Sequence, residues 1–297
     1  MKPQSNRHVL PGMERTDDRT AFPAVEAGRD EEIGRLLPLL ALGDYHTILL
    51  RDRAGNDGPL YGRRPDDYDE GTLLFRGPEV SRALVCEKNS AADRWLVVFR
   101  ADGIDSPALH AVLDECTFFG YAPGEALHPS LRERRTVVRC LEDIRKELRR
   151  PSDPFRGILL ARHLGCLLDY GRRYYERQFV TRCLANGELL RRYDLLLEAY
   201  VARGGMKRQG PPRTEACAEQ LGLSPAYFTD LLAFETGRTP EAYVTLKRME
   251  IAKRRLRRSR VPIGTIAEEL GFPSPQCFCA LFKKLNGLAP GDYRTLN

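Results

Sequence analysis

The sequence predicts a multidomain α+β chain: a β-rich front, a helical middle, and an all-α C-terminal region of two helix-turn-helix units joined by one long helix. Three observations carry this reading. Residues near the C-terminus repeat at an interval of about 50, short β-favouring runs cluster between residues 45 and 99, and charge is unevenly placed along the chain.

The 297 residues are long enough for more than one core, and 42% hydrophobic with 30% charged residues is a globular balance. No apolar run approaches a membrane span. Lys2 and Arg7 are followed by no apolar stretch with a small-residue cleavage site, so a cytoplasmic protein is expected. The eight cysteines (86, 116, 140, 166, 183, 217, 277 and 279) show no CxxC pair and no regular histidine spacing. Reduced, mostly buried thiols are therefore expected, with redox sensing at Cys277 and Cys279 as the alternative.

Residues 1–128 hold 15 Lys and Arg against 22 Asp and Glu, residues 129–190 hold 14 against 8, and residues 191–297 hold 18 against 11. An acidic front with a basic back suits a chain whose C-terminal part meets a polyanion, although a solvated surface would look the same.

Taken in order, residues 1–28 are rich in Arg, Asp, Pro and Gly without apolar period, and are expected to be a disordered arm. Residues 29–128 contain the strand-like runs Tyr45–Arg53, Thr72–Phe75, Val80–Cys86 and Trp95–Phe99, separated by turn signals such as Gly55-Asn56-Asp57-Gly58 and Gly77-Pro78. A small barrel or sandwich is expected. Residues 129–190 carry helical periodicity through Leu131–Leu148 and Phe155–Tyr175, divided by Pro151 and Pro154, and nothing after Phe99 looks like a strand. Two amphipathic helices of this kind pair across a two-fold axis or pack onto the barrel of their own chain.

Residues 191–297 contain the repeat. Ala218-Glu219-Gln220-Leu221-Gly222 returns as Ala267-Glu268-Glu269-Leu270-Gly271, while Phe228, Gly237, Pro240 and Tyr243 return as Phe278, Gly287, Pro290 and Tyr293. Each copy reads as helix, glycine turn, helix: a small residue where helices touch, a glycine for positive φ, then an apolar anchor. Leu221, Leu231, Leu232, Leu270, Leu281 and Phe282 are expected in the core, with Tyr243 and Tyr293 as anchors whose hydroxyls bond. A helix over Pro240–Arg258 spans the two copies, which suits successive major-groove segments of double-stranded DNA. Lys247, Arg248, Lys253, Arg254, Arg255, Arg257, Arg258, Arg260, Lys283 and Lys284 supply phosphate partners.

At these residues the chain resembles the AraC/XylS family of bacterial transcription regulators, most specifically from Pro262 to Phe272, at Phe282-Lys283-Lys284 and at Gly287-Leu288-Ala289-Pro290. Leu167–Arg182, with Arg173-Tyr174-Tyr175-Glu176-Arg177-Gln178-Phe179, looks like the helical segment preceding the DNA-binding domain in one branch of that family. Tyr61-Gly62-Arg63 with Asp69-Glu70-Gly71 looks like its cupin-like front domain. The resemblance implies a cupin-like sensor barrel, a helical dimerisation segment and a tandem helix-turn-helix domain. It also implies promoter DNA and RNA polymerase as partners, a small-molecule effector and a homodimer.

Carried over by position, it places recognition helices at about 225–236 and 274–285. The base readers of the first would be Ala226, Tyr227, Thr229, Asp230 and Ala233; those of the second would be Gln276, Cys277, Cys279, Ala280 and Lys283, with Ser274, Lys284, Arg248 and Arg254 as further DNA contacts. Asp230, Ala280 and Ala233-Phe234 depart from the basic residues common in the family. An aspartate can accept from a cytosine amino group but repels phosphate, so the first unit is expected to bind weakly, to read few bases or to act mainly as packing support. Gln276 is the preferred direct reader, since its amide pairs bidentately with adenine.

Histidines 8, 46, 110, 128 and 163 form no HxH pair with a following Glu, so no metal is expected, and with no paired carboxylates or Ser-His-Asp order neither a cofactor nor a catalytic residue is expected. His46 reads as a hydrogen-bonded barrel histidine, and Tyr61, Arg63 and Arg64 either meet an acidic ligand or form a solvated loop. An enzyme of the cupin oxygenase or isomerase type and a non-specific interaction module are the alternatives to a sequence-specific regulator.

Overall fold

The computed structural model describes residues 24–29, 32–41, 44–52, 63–65, 67–81 and 94–296. Strands β1 (Val25–Arg29), β2 (His46–Asp52), β3 (Gly71–Arg76) and β4 (Arg94–Phe99) form one antiparallel sheet in the order β1-β4-β2-β3, with Ile48 opposite both Val97 and Phe75. The inner strands are apolar at consecutive positions because both faces are covered. Ile48, Leu50, Leu73, Phe75, Val97 and Phe99 face one core. Leu49, Leu74, Leu96 and Val98 face the other, under Leu36 and Leu40 of helix α1 (Ile33–Ala41).

The expected barrel therefore takes the form of an open sheet among the described residues. With two apolar faces both buried under helices, neither is left to line an interior. Strand β1 lies partly inside the expected disordered arm, where its five residues pair with β4. Helix α1 was hidden by Gly34 and the internal Pro38. Val80 and Ser81 of the expected third strand end a short helix, α2 (Pro78–Ser81), and the rest of that run lies outside the described residues, as do the 55–58 turn and Tyr61. His46 is not the hydrogen-bonded histidine expected: its Nδ1 is buried without a partner among the described residues and its ring stacks on Phe99 at 5.1 Å. Arg63 meets Asp69.

Helices α3 (Pro107–Asp114), α4 (Leu131–Arg149) and α5 (Arg156–Thr181) cover the first face. Helix α4 opens on a reciprocal cap between Ser130 and Glu133, and its Val137, Leu141 and Ile144 are fully buried at helical spacing. The stripe of α4 is thus spent within the chain, while Leu131, Phe155 and Ile158 of this segment stay exposed. Helix α5 runs past Tyr175 to Thr181 and is followed at once by α6 (Cys183–Ala202). No strand follows Phe99 among the described residues, only a single bridge between Leu73 and Leu127.

The C-terminal core gathers α6, α7 (Gly205–Gln209), α8 (Thr214–Leu221), α9 (Pro225–Thr236), α10 (Pro240–Arg258), α11 (Ile263–Glu269), α12 (Pro275–Asn286) and α13 (Pro290–Thr295). The repeat is visible as two helical hairpins. Ala218 and Ala267 are fully buried, Phe228 and Phe278 anchor the second helices, and Gly222 and Gly271 hold φ of +73° and +71°. The two glycines differ in surroundings: a Cβ on Gly222 meets open space, whereas one on Gly271 would collide with the Met206 carbonyl oxygen. Gly222→Ala is therefore expected to cost about 1–2 kcal/mol from left-handed backbone alone. Gly271→Ala should cost on the order of 3 kcal/mol or more, because overpacking adds to it. Urea midpoints of the two variants check the difference; equal losses would remove the packing role of Gly271.

Among the described cysteines, all free, Cys116 and Cys217 are buried while Cys166, Cys183 and Cys277 are exposed. The expectation of mostly buried thiols fails because cysteine carries no periodic signal of its own.

Candidate nucleic-acid interface

Helix α12 is built to present one face. The Ser274 hydroxyl accepts the Cys277 N–H at 3.2 Å, Pro275 occupies the first turn and Gly287 ends the helix in left-handed conformation. Phe278 and Phe282, four residues apart and fully buried, fix the inward side. Gln276, Cys277, Ala280, Lys283 and Lys284 are consequently exposed together. Of the other residues expected there, Cys279 packs partly into the core, and the Ser274 oxygen serves as a cap.

The connecting helix divides its cations between structure and solvent. Arg248, expected on phosphate, is buried: its Nε donates to the Leu270 carbonyl at 2.8 Å and its guanidinium lies 3.8 Å from the centre of the Phe272 ring. Burial pushes its pKa down. It ties α10 to the turn between α11 and α12, because its side chain leaves α10 on the packed face. Arg254 is half-exposed and pairs with Glu198 of α6 at 2.6 Å, and Arg255 pairs with Glu269. Tyr243 donates its hydroxyl to Asp194, while Tyr293, half-buried, accepts from Arg257. Lys253, Arg258, Arg260, Lys283 and Lys284 have no ion-pair partner among the described residues.

Helix α9 is capped in the same way, by Ser224 accepting the Tyr227 N–H, but its outward face is not free. Ser224 donates its N–H and hydroxyl to the two oxygens of Glu125 at 2.7 and 2.5 Å. Asp230 accepts from the Thr117 hydroxyl at 2.5 Å and the Tyr121 hydroxyl at 2.6 Å. Burial, and then the Asp230 charge, drive the Tyr121 pKa upward. Tyr227 is 1% exposed, edge-on to Tyr121 and bonded through its hydroxyl to Arg182 at 3.3 Å. Phe234 stacks on Phe179, Ala226 lies against Gly120, and Tyr227 and Leu231 belong to the front core.

Three of the expected readers of the first unit, Ala226, Tyr227 and Asp230, are thus engaged by the front half of the chain. Thr229 donates its hydroxyl to its own Pro225 carbonyl, and Ala233 is exposed. Their partners Thr117, Tyr121, Glu125 and Arg182 were not singled out from the sequence. Separations of 45 to 113 residues leave no local trace of such contacts.

Arg182 is the centre of the junction. It is 1% exposed and grips Asp67 with Nε at 2.9 Å and Nη2 at 2.5 Å. Burial opposes ionisation of Asp67, but the Arg182 hydrogen bonds and charge outweigh it and hold the carboxyl below its ordinary value. His128 beside them is held at about 4 by burial, against the pull of Asp67 and with the help of the Arg182, Arg63 and Arg177 charges. The native histidine is neutral, whereas an unfolded one gains its proton near its ordinary value. Its contribution is complete above about pH 6.5 and disappears as pH falls toward 4, with Asp67 adding to the loss below that. A fall of up to about 3 kcal/mol across this window is expected, and denaturation midpoints of His128→Asn should show a flatter profile. An equally steep profile in the variant would discharge His128 from that role.

Residues 217–295 match the family model described as a helix-turn-helix domain. The chain is 38% identical over 81 residues to the uncharacterized transcriptional regulatory protein YesN of Bacillus subtilis, covering 27% of this chain and 22% of that one. It is 35% identical over 80 residues to the RCS-specific HTH-type transcriptional activator RclR of Escherichia coli, covering 27% and 28%. It is 38% identical over 58 residues to a putative AraC-like transcription regulator of Streptomyces antibioticus, covering 20% and 19%. The matches span less than a third of these relatives' length.

Proposed function

We propose that this chain, whose residues 217–295 are a helix-turn-helix domain of the AraC type, is a sequence-specific transcription regulator in which α12 reads promoter DNA and α9 is withheld by the front half. The observation that carries the reading is the exposed stripe of Gln276, Ala280, Lys283 and Lys284 on a capped helix whose opposite side is locked by Phe278 and Phe282. An amide and two lysines on one helical face supply a base reader and phosphate contacts together. The relatives named above are transcription regulators, which supports a non-enzymatic reading, and among the described residues no helix is long and apolar enough to cross a membrane. Binding to a duplex selected from a random pool, compared with its scrambled form across a salt series, tests the proposal. Equal affinity for both, varying only with salt, would remove sequence specificity.

The two hairpins act as tandem units on successive major-groove segments once α9 leaves the front half, and an effector or partner at residues 29–128 biases that release. Action as a cytoplasmic homodimer in contact with RNA polymerase belongs to the same proposal; sedimentation of the full chain checks the dimer. Tyr121→Phe with Thr117→Val removes both donors to Asp230 and changes nothing on α9 itself. Losing two hydrogen bonds to a charged acceptor destabilises the docked state by more than about 1.4 kcal/mol, so DNA affinity should rise at least about tenfold. Unchanged affinity in fluorescence anisotropy would show that docking does not limit binding.

A further inference from the structure

A cavity of about 290 Å³ opens between α5, the single helical turn Thr117–Gly120 and α9, at the place where the front half holds the first hairpin. Its walls are aromatic: Phe118, Tyr121, Tyr175, Phe179 and Phe234. Its polar groups are Glu115, Arg172, Glu176 and Asp230, together with Thr117. Arg172 is committed to Glu115 at 2.6 Å. Asp230 receives only the neutral hydroxyls of Thr117 and Tyr121, and Glu176 has no partner among the described residues. Exposed Glu176 and half-buried Asp230, two carboxylates without a cation, therefore stand beside the one exposed ring of this lining, Phe234, which stacks on Phe179.

We propose that this cavity binds a small organic ammonium ion, an aryl- or alkyl-substituted amine or quaternary ammonium. Its charge would lie between Glu176 and Asp230, with its apolar part against Phe234 and Phe179. A ring attracts a cation through its negative face, and Phe234 is exposed to offer one. An anion would meet three carboxylates and one guanidinium already paired. A neutral ligand would leave Glu176 and Asp230 without a counter-charge. The volume sits at the lower end of small-molecule sites, so the ligand is compact.

Residues from both halves of the chain form the walls, so the ligand binds the docked arrangement in preference to the open one. It therefore strengthens the hold on α9 and weakens DNA binding, and DNA weakens ligand binding by the same factor. This direction rests on the docked state of α9 being the DNA-free state, as proposed above; the binding site itself does not.

The test is calorimetric titration of the full chain with benzyltrimethylammonium chloride, sodium benzoate and benzyl alcohol, in parallel with anisotropy of a selected duplex. The expected result is one cation per chain and at least about tenfold weaker binding of benzoate and of benzyl alcohol. Glu176→Gln and Phe234→Ala, both at solvent-facing positions, should each lower cation affinity about three- to tenfold. Saturating cation should lower DNA affinity. No binding of the cation on the order of 10 mM, or equal affinity for benzoate, would overturn the proposal. Cation binding that the two variants leave unchanged would place the site elsewhere and overturn it as well. Cation binding of the expected kind with DNA affinity unaltered would uphold the site and overturn the docked-state reading of α9.

Discussion

Replacing Arg182 with methionine is expected to lower the stability of the chain by about 3–5 kcal/mol. The guanidinium is 1% exposed and makes both of its strong contacts to one carboxylate, Asp67, whose own side chain is fully buried. Methionine fills much of the same volume, so the loss is not a cavity effect. It arises because Asp67 is left charged in a dry site, holding the Arg64 N–H as its one remaining donor among the described residues. Desolvating a charge without a partner costs more than the pair gains by forming, so removing both members should be milder than removing one. Arg182→Met with Asp67→Leu is accordingly expected to recover a large part of the loss. Urea unfolding followed through Trp95, the chain's one tryptophan, measures this in the front half. A double variant as unstable as Arg182→Met would mean that packing, rather than the unpaired charge, sets the cost. Arg182 also donates to the Tyr227 hydroxyl, so both variants should bind DNA more tightly at temperatures where they remain folded.

Gln276→Ala is expected to weaken binding to a selected duplex by about 1–3 kcal/mol and to relax the preference at one base pair, because a bidentate amide contact discriminates between bases. Lys283→Ala should weaken binding to all sequences alike and reduce the slope of affinity against salt by about one unit. Thr229→Ala on α9 should fall within about twofold of the parent, since its hydroxyl already donates to the Pro225 carbonyl of the same helix. The three variants share an advantage: none of these side chains is buried, so each is expected to fold. If Thr229→Ala proved more damaging than Gln276→Ala, the ranking of the two hairpins would be reversed, and α9 would have to be the principal reader after its release.

The C-terminal hairpins were legible because every signal they carry is local. Ala218 with Gly222, and Ala267 with Gly271, lie four residues apart, Ser224-Pro225 and Ser274-Pro275 mark the helix starts, and Phe278 and Phe282 show the buried side directly. The strands around Ile48, Leu73 and Val97 were legible for the same reason. Strand β1 and helix α1 were not, because a short strand in polar company and a helix interrupted by Gly34 and Pro38 lose their periodicity. Arg248 was misplaced because its charge was read before its position: it stands four residues from Val244 and from Ala252, on the buried stripe of α10.

By itself, then, the sequence determined the periodic elements of the chain, the repeated hairpin and the exposed stripe on α12, since helix period, capping residues and positive-φ glycines act within a few residues of one another. Only the tertiary structure decided that the outward face of α9 is occupied. Asp230 was read as a groove-facing acid; it is held by Thr117 and Tyr121, more than a hundred residues earlier in the chain. Nothing in local spacing encodes which two surfaces meet, because that choice depends on the summed burial of Tyr227, Leu231 and Phe179 and on a charge, Arg182, that is tolerable in the interior only where Asp67 is brought to it.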